Sequence, residues 1–108
     1  MVYVYLATAI IAEVIATSAL KASHEFTRLI PSLIVITGYA VAFYFMTLTI
    51  RTLPIGITYA IWSGLGIVLI TIVGALFYKE IPDIPAILGM ALIILGVGVI
   101  HIYSDAAV

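Results

Sequence analysis

Charge is excluded from almost the whole of this sequence. The chain carries only four Lys and Arg and five Asp and Glu residues in 108 positions. All but one stand in short breaks: Lys21, Glu25 and Arg28 with His24; Arg51; Lys79, Glu80 and Asp83; and Asp105. Between the breaks run apolar stretches. An ionised side chain at the centre of a bilayer costs about 3 kcal/mol or more, so this spacing is what repeated membrane crossing demands. A hydrocarbon core about 30 Å thick takes about 20 helical residues, and the breaks leave spans at about 2–20, 31–50, 54–77 and 84–103. Composition agrees, at 66% hydrophobic, 8% charged and a mean hydropathy of +1.38, where a soluble domain is about a quarter charged. The expected fold is all-α, an integral membrane four-helix bundle filling residues 1–108 as a single transmembrane domain.

Pro31, Pro54 and Pro85 stand where three of these spans begin, the position at which a missing N–H costs least. Loops this short make consecutive helices antiparallel neighbours in a compact bundle with both termini on one side. The first span lacks a basic leader and carries Glu13, so no cleaved signal is expected. Lys21, Arg28 and Lys79 on one side face only Arg51 on the other. That is a weak bias under the positive-inside rule, compatible with insertion both ways up. A formal net charge of -1 and the absence of cysteine argue against nucleic acid, disulfides and thiolate metal sites. The lipid bilayer is the expected partner.

Glu13 is the one acid or base well inside a span, about twelve residues from one end and about seven from the other. A Glu stem is too short to reach the interface from there, and the charged form needs a cation or a proton beside it. A purely structural bundle gains nothing from such a group. Ala9, Ala16 and Thr17 share its helix face at i-4, i+3 and i+4, leaving room for a bulky guest or a neighbouring helix. Tyr59 with Trp62, and Tyr39 with Phe43, sit at i+3 and i+4 spacings suited to an aromatic box for an organic cation. Tyr3, Tyr5, Tyr78 and Tyr103 fit an interfacial belt instead. Gly64 and Gly66 serve as a helix hinge or as a packing notch. Gly89 and Gly96, seven apart, form a small-residue packing stripe on the fourth span. His101 has no second ligand at metal spacing, so no metal site is expected.

The segments AEVIATSALKAS around Glu13, the GFTR-like EFTRLIPS, LPIGITYAIWSGLGIVLI and IPDIPAILGMALIILGV together resemble the small multidrug resistance family of proton-coupled exporters over nearly the whole chain. The resemblance implies an antiparallel homodimer of dual topology in the bacterial inner (cytoplasmic) membrane. It implies no enzyme activity and no cofactor. By matching position, Glu13 would bind protons and substrate cations in turn, and Tyr59, Trp62, Tyr39, Phe43 and Thr17 would line the pocket; Ala9 joins them on the helix-face spacing alone. Gly64 and Gly66 would form the kink of the third helix, and Gly89 and Gly96 the dimer packing stripe. The family divides into exporters of lipophilic or quaternary ammonium cations and exporters of guanidinium ions. The guanidinium pattern has Gly, Trp and Ser at the positions of Ile10, Ala16 and Ala42, and the multidrug branch tends to carry Gly at 16 and Ser at 42. The reading favours a multidrug antiporter working by alternating access, with a guanidinium exporter, a paralogous heterodimer and a non-transporting structural bundle as rivals.

Overall fold

A chain in hydrocarbon must satisfy its backbone polar groups internally, and a helix does so within each segment. The computed structural model, which describes residues 1–104, has four helices in chain order: α1 (Val2–Ala22), α2 (Leu29–Thr49), α3 (Ile55–Phe77) and α4 (Ile84–Tyr103). All four are long and apolar enough to cross a membrane, and the protein is a multi-pass membrane protein. Asp105, placed after the fourth span, lies outside the described residues.

The helix ends follow local chemistry. Pro54 is the residue just before α3, Pro85 falls in the first turn of α4, and Asp83 caps α4 by accepting from Ala86 N at 3.0 Å. Pro31 sits two residues inside α2, which begins at Leu29. α1 runs to Ala22, and buried Ser23 then organises the first loop: its Oγ accepts from Phe26 N, and its carbonyl from Thr27 N and Arg28 N. His24, Glu25 and Phe26 pass through this loop with φ of 48°, 63° and 65°. That left-handed region costs a side-chain-bearing residue about 1–2 kcal/mol.

The helices form the expected four-helix membrane bundle, flattened to 45 × 35 × 17 Å. α1 packs against both α2 and α3, and α4 packs against α3. The expectation that each helix packs on the next therefore fails between α2 and α3, which meet through the rings of Phe43 and Trp62. The reason is that α1 has two packing faces. Ala12 and Ala16 admit the backbone of α2, while Leu6, Ile10 and Val14 form an apolar cluster with Ile61 of α3. α4 has no buried residue. Its Val97 and Ile100 reach the edge of the cluster, and Gly89, Gly96 and Gly98 face open space.

Candidate functional site

Glu13 is half-buried at the α1–α3 seam. Its Oε1 accepts a hydrogen bond from Thr17 Oγ1 at 2.6 Å, and Thr17 Oγ1 is 2.7 Å from the Tyr39 hydroxyl on α2. The Thr17 hydrogen is committed to the carboxylate, so Tyr39 is the donor in the second bond. A three-member chain thus crosses from α2 to the acid. On the other flank, Gly66 of α3 makes room for the carboxylate: a Cβ built there would lie 3.3 Å from Glu13 Oε2.

The carboxylate opens into a cleft of about 230 Å³ lined by Glu13, Tyr59, Trp62, Ser63, Gly66, Ile67 and Ile70. Aromatic rings continue from it in an unbroken series. Tyr59 and Trp62 are 5.5 Å apart, Trp62 and Phe43 6.1 Å, and Phe43 and Tyr39 6.2 Å between centroids. The four aromatic residues singled out from sequence are therefore brought together. Tyr59 and Trp62 are on the cleft wall, whereas Phe43 and Tyr39, on α2, are not part of it. Among the described residues the one ion pair is Lys21 with Glu80, at the loop end of α1, so the acid has no basic partner. A lone carboxylate beside aromatic faces and apolar walls is suited to hold a cation whose own hydration is weak.

A model of the Small Multidrug Resistance protein family matches residues 1–93. The chain belongs to the small multidrug resistance family. It is 50% identical over 105 residues to the quaternary ammonium compound-resistance protein QacF of Klebsiella aerogenes, covering 97% of this chain and 96% of that one. It is 48% identical to QacE of Escherichia coli over the same shares, and 51% identical to a multidrug transporter of Pseudomonas aeruginosa, again over 97% and 96%.

Several positions singled out from the sequence lie elsewhere. Ala9 is fully buried and stands off the cleft wall. Ile10, Ala16 and Ala42, where the family's branches differ, are all buried as well. Ile10 belongs to the apolar cluster shared with α3, and Ala16 meets Gly38 of α2. None of the three lines the cleft of the single subunit. α3 is one uninterrupted helix through Gly64 and Gly66. Gly64 admits α4, since a Cβ there would stand 2.7 Å from Val97 Cγ2 and 3.0 Å from Ile93 Cγ2. Ser63, Ile67 and Ile70 were not foreseen. Their signal was present, because Tyr59, Trp62, Ser63, Gly66, Ile67 and Ile70 follow the i, i+3, i+4, i+7, i+8, i+11 series of one helical face.

Proposed function

We propose that this family member is a proton-coupled antiporter that expels lipophilic or quaternary ammonium cations across the bacterial inner membrane. The observation that carries the reading is the Glu13 carboxylate, unpaired with any basic residue among those described and facing a cleft walled by Tyr59 and Trp62. Relatives about half identical to it along almost their full length bear names for resistance to quaternary ammonium compounds and for multidrug transport. That supports the substrate class. Ile10, Ala16 and Ala42 depart at all three positions from the guanidinium pattern of Gly, Trp and Ser, which argues against that branch.

The site works as half of a larger one. A cleft of about 230 Å³ falls below the roughly 300–1,000 Å³ of sites that enclose a drug-sized ligand. A second copy, antiparallel to the first, supplies a second Glu13 and closes the open side. With both carboxyls protonated the site is neutral and rejects a cation. Loss of the protons to the cytoplasm leaves anionic oxygens that attract one, and the aromatic faces hold its apolar body. Carboxyls sharing one site exchange protons as a unit. The dimer then exposes the site to the other side, where protons displace the cation, and each unit of pH difference supplies about 1.36 kcal/mol per proton. Alternating access needs only that the two orientations be near in free energy, which an antiparallel pair of identical chains ensures by symmetry.

The test is uptake into proteoliposomes under an imposed pH gradient. Tetraphenylphosphonium is expected to accumulate, guanidinium is not, and Glu13→Gln should reduce uptake to the level of empty vesicles, because an amide of similar volume cannot release a proton. Gradient-driven uptake by Glu13→Gln at the wild-type rate would overturn the proposal.

A further inference from the structure

The close approach of α2 to α1 is concentrated at Gly38. A Cβ built there would stand 2.8 Å from Ala16 Cβ, 3.1 Å from Ala12 O and 3.2 Å from Ala16 Cα. Two of these three are main-chain atoms, which cannot swing aside as the end of a long side chain does. The next residue along each helix makes the polar contact: Tyr39 follows Gly38, Thr17 follows Ala16, and their hydroxyls are 2.7 Å apart. Packing contact and hydrogen bond are therefore adjacent rungs of one seam, and the second rung ends on Glu13 through Thr17.

We infer that Gly38 is a positioning residue for the exchange site, because its missing side chain lets α2 come close enough for Tyr39 to donate to Thr17 while Thr17 donates to Glu13. A methyl group at 38 needs more separation from Ala16 than the seam allows. Parting the helices by that amount stretches the Tyr39–Thr17 bond towards and past the roughly 3.5 Å at which a hydroxyl hydrogen bond ceases to count. Thr17 is then free to rotate away from the carboxylate. Ala16 and Gly38 form a size-matched pair: the methyl carried on α1 is the one that α2 omits. This inference rests on the proposed role of Glu13 as the exchange site, and it adds that residue 38, which lines no part of the Glu13 cleft, sets how that site is held.

The experiment is a double-mutant cycle with a spectroscopic readout. Gly38→Ala should lower gradient-driven tetraphenylphosphonium uptake about tenfold, the scale of one hydrogen bond to a charged group. Tyr39→Phe removes the hydroxyl and keeps the ring, and on that background Gly38→Ala should cost nothing further. Ala16→Gly with Gly38→Ala exchanges the two sizes and should recover uptake severalfold over Gly38→Ala alone, short of wild type because the Ala12 O contact remains. It also serves if the single variant does not fold. In bilayers, the ¹³Cζ resonance of Tyr39 should move from its hydrogen-bonded position in Gly38→Ala and return towards it in the exchanged pair. Equal losses for Gly38→Ala with and without the Tyr39 hydroxyl, or an unmoved Tyr39 resonance, would overturn the inference and leave a packing contact alone. If wild-type vesicles show no gradient-driven uptake, the antiporter reading falls, and the Tyr39 resonance still decides whether Gly38 sets the hydrogen-bond chain.

Discussion

Thr17 Oγ1 donates to Glu13 Oε1 at 2.6 Å from one helical turn further along α1. A Thr hydroxyl in a helix commonly bonds to the carbonyl four residues back, as Thr8, Thr49 and Thr71 do here. Thr17 spends its hydrogen on the acid instead, and Tyr39 holds it in that rotamer. Thr17→Val keeps the shape and removes the donor. The loss of a hydrogen bond to a charged group is worth about 1.5–3 kcal/mol, so uptake should fall at least about tenfold, and Thr17→Ser should retain most of it. Rates for Thr17→Val equal to wild type would show that the bond is incidental.

Gly66 and Gly64, two residues apart on α3, should respond differently to the same methyl group. At 66 the new Cβ would stand 3.3 Å from Glu13 Oε2, the end of a flexible side chain that can swing away. Gly66→Ala should therefore weaken tetraphenylphosphonium binding severalfold, read by quenching of Trp62 fluorescence, with little loss of thermal stability. At 64 the methyl meets Val97 and Ile93 at 2.7 and 3.0 Å and forces α3 from α4. Overpacking of that kind costs about 1–3 kcal/mol, so Gly64→Ala should lower the thermal midpoint. The reverse assignment of binding and stability losses would contradict the geometry.

Nothing lies within 4 Å of a Cβ built at Gly96 or Gly89, and α4 has no buried residue within one subunit. In lipid there is little hydrophobic drive between helices, so association rests on the close backbone approach that small residues permit. Gly96→Leu is expected to lower dimer recovery by cross-linking in mild detergent and to lower uptake with it. Leu95→Ile is the reference, because Leu95 is 65% exposed, whereas the neighbouring Val97 packs towards Gly64 of α3. A Gly96→Leu protein as dimeric as wild type would remove α4 from the dimer seam.

Three basic residues against one across the two loop sides leave the orientation nearly undecided under the positive-inside rule. The chain has no cysteine, so a single introduced Cys can be read without background. Ile81→Cys is suitable, since Ile81 is 75% exposed in the α3–α4 loop and the substitution leaves the charge count unchanged. An impermeant thiol reagent should label roughly half the molecules in intact cells, and the remainder only after permeabilisation. Labelling confined to one face would defeat the antiparallel homodimer.

Four helices and their approximate ends were legible in the sequence because one physical fact controls both. Charge is intolerable in hydrocarbon, so its positions mark the loops, and its single breach singles out Glu13 as the candidate. The face of α3 that builds the cleft was equally present as a helical series beginning at Tyr59. Helix order across the molecule was not: short loops bound how far α2 and α3 can separate, but they do not say whether α1 lies between them. That was decided by which surfaces fit, namely the Ala12 and Ala16 face against Gly38 on one side and the Leu6, Ile10 and Val14 face against Ile61 on the other. The same fit leaves Ala9 off the cleft wall and places Gly38, which no periodicity singles out, beside the Glu13 network. Solvation is a property of each residue and can be read one position at a time. Shape complementarity is a property of pairs, and only the tertiary structure brings the pairs together.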